Sequence, residues 1–224
     1  MRVAAIDCGT NSIRLLIADV EGSNFREVFR DMEIVRLGQG VDKTGQFHPD
    51  AIVRTLAAVD KYALEIAKRE LVTEGRYSEI EISNTTFAVI AMGKCGAREL
   101  NYVSDVDVIY VVGGEGDNVI EIGTKLATKL ARVISEPSLE PGLWQVDPNL
   151  RPEGKSGALV RRLESHLSYY EKWAEDWEFQ ALLKARFVAG DAELGAAYEQ
   201  QIKPLVWSRS SRAAIVENAR NMRK

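Results

Sequence analysis

The chain is poor in several residue types that would have decided its class at once. It has two cysteines in 224 residues, Cys8 and Cys95, too few for a disulfide framework, and two free thiols are expected. Its two histidines, His48 and His166, have no partner at metal-ligand spacing, so neither is assigned chemistry. No apolar run approaches membrane-spanning length, and Asp7 falls too early for a secretory leader. A cytoplasmic protein without a membrane partner is therefore expected. Positive charge is not in excess either. Twenty-nine Lys and Arg stand against 33 Asp and Glu, a net charge of −4, which argues against a nucleic-acid partner. There is no internal repeat and no low-complexity tract.

What is present divides near residue 70. Val3 to Ile6, Ser12 to Val20 and Phe25 to Leu37 read as strands of an antiparallel meander, turned at Gly, Asn and Ser positions. From Pro49, Ile52, Leu56, Val59, Ala63 and Ile66 recur at helical spacing, giving an amphipathic helix. The stretch from Glu70 to Ser83 is polar and poorly periodic, and a boundary is placed there. Phe87 to Met92 is a strand, Gly93 to Gly96 a turn, and Val106 to Val112 a second strand. Ile122, Leu126, Leu130 and Val133 stripe a helix ending near Ser135, and Leu143 to Val146 forms a short strand after the loop SEPSLEPG. Leu159 to Arg186 reads as mostly helical, with Trp173, Trp177 and Phe179 expected in its core and Glu178 and Arg186 on one face as an ion pair. A last helix is expected from about Arg209.

The candidate chemistry lies at ELNYVSDVDVIYVV. Residues two apart on a strand share a face, so Asp105 and Asp107 sit side by side at the start of an apolar strand, and their charges repel unless a cation lies between them. Paired strand aspartates behind a glycine turn resemble the way nucleotidyltransferases of the polymerase-beta type present Mg²⁺ or Mn²⁺. Hard divalent ions take such oxygen ligands together with phosphate oxygens. Asp147, at the end of LWQVD, is the candidate third carboxylate. The plainer account, two aspartates on a solvated strand end, is weighed down by the Gly93 turn and the third aspartate. After Asp147, PNLRPEGKSG is not a P-loop, because Asn149 stands where that motif needs glycine. It reads instead as a basic loop in which Arg151 and Lys155 offer donors to phosphate, or as a solvated turn with incidental charge. Gly93, Lys94 and Ser104 complete the candidate nucleotide-binding set.

Three stretches carry a resemblance: FAVIAMGKCGARELNYVSDVDVIYV, LWQVDPNLRPEGKSGALV and YYEKWAEDWEFQALLKARFVAGD. In order and spacing they resemble the glutamine synthetase adenylyltransferase family, over residues 71–224. The resemblance implies an α+β fold, a polymerase-beta-like nucleotidyltransferase mixed sheet with helices. It also implies metal binding and catalysis by Asp105, Asp107 and Asp147, with ATP or ADP and phosphate as substrates and glutamine synthetase as partner. The motif details are more similar to the adenylyl-removing half of that family, which releases AMP from tyrosine by phosphorolysis. The same in-line displacement also serves AMP transfer from ATP, so the direction stays open.

Residues 1–70 resemble another family. AAIDCGTNSIRLLIADV with MEIVRLGQGVDKTG is similar to the start of the exopolyphosphatase and guanosine pentaphosphate phosphohydrolase family. That implies a partial meander plus helix of actin-like ATPase type, with Asp7 and Gly9 to Ser12 as a phosphate loop. The alternative is a plain hairpin turn. The later loops and catalytic carboxylate of that family have no counterpart after residue 70. The join therefore suggests a chimera, and polyphosphate hydrolysis or an inactive chimeric chain are the alternative functions.

Overall fold

A computed structural model describes residues 1–99, 104–135 and 145–209. The expected helix beyond Arg209, the loop SEPSLEPG after Ser135 and the start of the Leu143 strand lie outside these. The chain divides into two compact units, Met1–Glu70 and Leu71–Lys224.

The first unit is a three-stranded antiparallel sheet, ordered β1 (Arg2–Cys8), β2 (Ser12–Glu21), β3 (Asn24–Ile34), followed by a one-turn α1 (Val41–Thr44) and α2 (Pro49–Glu74). Ile13, Leu15 and Ile17 alternate along β2 and bury one face against Ala58 and Tyr62 of α2, the period-2 against period-3.6 match that holds a helix on a sheet. The Arg69 guanidinium lies 3.9 Å from the Phe29 ring centroid, and Lys61 bridges Asp31 at 3.1 Å and Glu33 at 2.5 Å. The Gly9 turn is a hairpin closed by its N–H donating to the Ser12 carbonyl at 3.0 Å.

The second unit is mixed α/β. After α3 (Glu79–Asn84), begun by a Ser78–Glu81 capping box, come β4 (Thr86–Ala91), α4 (Gly93–Ala97), β5 (Val106–Gly113) and α5 (Val119–Ser135). Then follow β6 (Val146–Asp147), a 3-10 turn (Gly154–Ser156), β7 (Val160–Arg162), α6 (Leu163–Lys172), α7 (Asp176–Leu182), β8 (Arg186–Gly190) and α8 (Ala192–Arg209). The sheet runs β6-β5-β4-β8, with β7 beside β5 beyond β6; β4 is antiparallel to β5 and β8, while β6 and β7 are parallel to β5. β4 and β5 are apolar nearly throughout because both their faces are covered.

The expected helix from Leu159 to Arg186 is broken into β7, α6, α7 and β8. Glu175 starts α7 with a capping box to Glu178, which also accepts from the Tyr169 hydroxyl at 3.2 Å. Arg186, now on a strand, donates to the Gly96 and Cys95 carbonyls at 3.0 and 3.2 Å, so the expected Glu178–Arg186 pairing across one helix face is replaced. Phe179 is core as expected. Trp173 and Trp177 are exposed, at 74% and 45%. The two lie on either side of the α6–α7 break, and only a continuous helix would have turned both inward. α8 was not legible: Gly195 and Pro204 interrupt its periodicity, although Asp191, accepting from Leu194 N–H at 2.8 Å, marks its start.

His166 is buried among Tyr170 and Tyr198, with Nε2 3.4 Å from the Tyr110 carbonyl. Burial pushes its pKa down to about 4. The unfolded chain takes up this proton below about 6.5, the folded chain only near 4. Stability is therefore full above 6.5 and falls as pH drops through that window, by roughly 3 kcal/mol. Urea unfolding at pH 7 and pH 5 should show about 2 kcal/mol of this loss, and His166→Gln should flatten it; equal slopes in both proteins would exclude His166 as the cause.

Candidate active site

Three carboxylates are assembled by the sheet register. Asp107, the second residue of β5, pairs directly with Asp147 at the end of β6, and partners in parallel register point to one face. Asp105 lies one residue before β5, near enough for its charge to raise the pKa of Asp107. Asp107 is half-buried and its pKa is raised, first by burial, then by the charges of Asp147 and Asp105, with Lys94 opposing. Asp105 is exposed.

Gly93 makes the approach possible. It follows β4 with φ +50°, and a Cβ there would lie 2.4 Å from Asp107 Oδ2. Beside it the Met92 N–H donates to the Asp107 carbonyl at 2.8 Å, continuing the β4–β5 ladder. Lys94, on the first turn of α4, donates from Nζ to Ser104 Oγ at 3.2 Å. Behind α4, Gly96 packs so tightly on the chain that a Cβ would meet the Lys184 carbonyl at 1.9 Å, and Arg186 clamps the same turn. The glycine turn read from the sequence is thus a five-residue helix wedged between two strand ends.

The loop after Asp147 is organised from within. Asn149 N–H donates to Asp147 Oδ1 at 2.7 Å, a turn that sequence reading missed although Asp-Pro-Asn is its signature. Arg151 was expected to offer donors to phosphate. It is 8% exposed and instead donates to the carbonyls of Gly157 (3.1 Å), Pro148 (2.9 Å) and Lys155 (3.1 Å). Its place is that of a loop brace. Lys155 is exposed on the 3-10 turn, which leaves it the open cation of this loop. Arg151→Ala removes three hydrogen bonds from part-buried backbone carbonyls and should cost about 1–3 kcal/mol. A thermal melt would measure it, and an unchanged midpoint would show the loop to be braced by other means.

Among the described residues no group of three or more His, Cys, Asp or Glu side chains is closed enough to hold an ion as it stands. The donor set nevertheless fits a hard divalent cation. It is all carboxylate oxygen, its members repel one another, and the glycine cradle beside Asp107 is kept free of side chain. Among the described residues no helix is long and apolar enough to cross a membrane.

The second unit is a mixed sheet that brings aspartates to adjoining strand ends, and comparison with known proteins gives the chain's family. The family model described as glutamate-ammonia ligase adenylyltransferase matches residues 23–201, and the chain belongs to that family. The match starts well before Leu71 and so runs across the boundary between the two units. Among curated relatives, the bifunctional glutamine synthetase adenylyltransferase/adenylyl-removing enzyme of Leifsonia xyli is 54% identical over 176 residues, 75% of this chain and 17% of the relative. The enzyme of the same name from Mycobacterium avium is 42% identical over 203 residues, 89% of this chain and 19% of the relative. The chain thus spans under a fifth of the length of these relatives. Among solved structures, an exopolyphosphatase-like protein is 48% identical over 30% of this chain and 21% of its own, with a TM-score of 0.29. The Aquifex aeolicus Ppx/GppA phosphatase is 31% identical over 35% and 24%, with a TM-score of 0.28. Superposition at this level does not define a shared fold.

Proposed function

We propose that residues 71–224 form a nucleotidyltransferase unit of polymerase-beta type that acts on the adenylylated tyrosine of glutamine synthetase, removing AMP by phosphorolysis. The observation that carries this reading is the Asp107–Asp147 register pair with Asp105 two residues upstream and bare Gly93 alongside. The curated relatives' names, which join adenylyl transfer and removal to glutamine synthetase, support the substrate.

Mg²⁺ or Mn²⁺ held by Asp105, Asp107 and Asp147 would supply charge neutralisation at phosphorus and lower the pKa of an attacking oxygen. The protein's own part is positional. The β5–β6 ladder fixes two carboxylates at the spacing of neighbouring strands, so that little reorganisation is needed when charge develops. Lys94, its ammonium already aimed at Ser104, would donate to the oxygens of the transferred phosphoryl group, with Ser104 as a further donor. Gly93 lets a nucleotide approach the backbone, and Lys155 adds an exposed positive charge from the loop after Asp147. Arg151 keeps that loop, and through Asn149 the Asp147 carboxylate, in place.

The test is ADP release from adenylylated glutamine synthetase in the presence of phosphate and Mg²⁺, with Asp105→Asn as control. ADP from the parent protein and none from the variant is expected. ADP formation equal in both would overturn the site. AMP incorporation from ATP, with no ADP release, would keep the site and reverse the direction.

A further inference from the structure

α4 is too short to hold itself. Its five residues close little more than one turn, and a lone turn of that length is unstable in water. Its start is fixed by the sheet, through the Met92 N–H that donates to the Asp107 carbonyl. Its end is fixed from two sides. The chain that follows serves the Lys94 and Cys95 carbonyls, with Glu99 N–H donating to Lys94 at 2.8 Å and Arg98 N–H to Cys95 at 3.2 Å. β8 serves the last carbonyls. Arg186, in register with Ala91 of β4, donates from Nε to Gly96 and from Nη2 to Cys95. Carbonyls at a helix C-terminus have no partner inside the helix, and a guanidinium fork meets two of them with one rigid group.

What this fork holds lies at the other end of the same turn. A Cβ on Gly93 would meet Asp107 Oδ2, and Lys94 donates from Nζ to Ser104 Oγ at 3.2 Å. Lys94 is also the cation whose charge reaches Asp107. Arg186 itself stands outside the apolar core of the unit, which draws instead on Ala185 and Phe187 to either side of it. Its backbone pairing in β8 does not depend on its side chain. Removing the guanidinium therefore leaves sheet and core in place and frees α4 to shift.

We propose that Arg186 is a positioning residue of the site: carried by β8, it fixes α4 and so keeps the Lys94 ammonium aimed beside Asp107. This rests on the function proposed above, in which Lys94 donates to the phosphoryl group in transfer. Lys184, two residues before Arg186, does not share the role. Its pair with Glu99, at 3.0 Å, is exposed at both ends and ties down the chain beyond the helix, and exposed pairs of this kind hold little.

Arg186→Met keeps the stem of the side chain and removes its donors. With adenylylated glutamine synthetase, phosphate and Mg²⁺, its kcat for ADP release should fall about 10²-fold, the loss expected for a contact misplaced by about an ångström. KM for the protein substrate should not change, because the contact is made to the group in transfer. Arg186→Lys, whose ammonium still donates to a carbonyl, should recover part of the loss. Lys184→Met, which removes a neighbouring cation and leaves the fork, should keep the parent rate. The double variant Arg186→Met/Lys94→Met should be no slower than Lys94→Met alone. Amide hydrogen exchange of the free protein needs no substrate. In Arg186→Met the Gly96 and Glu99 N–H groups should exchange about tenfold faster, while Val89 in β4 and Ile109 in β5 keep the parent rate. Parent kcat in Arg186→Met, an equal loss in Lys184→Met, losses that multiply with Lys94→Met, or unchanged exchange in the turn would each overturn the proposal. No ADP from the parent protein would overturn the proposed function instead, and the role of Arg186 would then stand or fall on the exchange result.

Discussion

Asp107→Asn is expected to abolish ADP release while leaving the fold intact. The substitution keeps the shape of the side chain and its neighbours and removes only the charge. On the proposed function, losing that carboxylate forfeits several kcal/mol of transition-state charge stabilisation, so turnover should fall on the order of 10³-fold or more. Stability should move the other way or not at all. Asp107 has its pKa raised by burial and by the charges of Asp147 and Asp105, so ionised Asp107 is a net cost to the cation-free fold at neutral pH. Its neutral replacement relieves that repulsion. Measuring ADP release beside a thermal melt separates the two effects. Full turnover in the variant would remove Asp107 from the chemistry, and a large drop in melting temperature would make it a structural residue.

Most of what positions these aspartates was legible because it depends on local pattern. The apolar runs of β4 and β5 and the stripe of α5 each follow from side-chain period, and the strands and helix lie where the pattern puts them. The Asp105–Asp107 spacing placed the two carboxylates near each other before any register was known. Pairing was not legible in the same way. That Asp147 sits in register with Asp107 depends on β6 joining β5 in parallel, a contact across forty residues. Arg151 and Arg186 show the same limit from another side. Each is a cation in a loop or helix by sequence, and each spends its donors on backbone carbonyls that only the folded chain brings near. The helix expected through Trp173 and Trp177 failed because the Glu175–Glu178 capping box starts a new helix there, a signal present in the sequence but outweighed by the surrounding periodicity. α8 shows the converse, a helix whose Gly195 is required by packing, since a Cβ would meet the Phe187 ring at 2.1 Å.

Gly93→Ala should damage the site by acting directly on Asp107. Two separate costs meet at this residue. Its φ of +50° lies in the left-handed region, where an alanine is strained by about 1–2 kcal/mol. The added methyl would also stand 2.4 Å from Asp107 Oδ2 and 3.2 Å from its Cγ, so the carboxylate must swing away or the turn must open. The first outcome displaces a ligand by an ångström or so, which costs roughly 10²-fold in rate. The second pulls on α4, which cannot retreat because Gly96 already touches the Lys184 carbonyl and Arg186 holds its last turn. The carboxylate is therefore the part that gives. The expected result is a rate loss of about 10²-fold with a melting temperature lowered by only a few degrees, as a strain near 1–2 kcal/mol implies for a unit of this size. Pairing the variant with Asp107→Asn supplies the check. If Gly93 acts by displacing Asp107, the double variant should be no slower than Asp107→Asn alone, because the group that the methyl displaces no longer contributes. Additive losses would mean instead that Gly93 serves the substrate directly, by leaving its backbone open to the nucleotide.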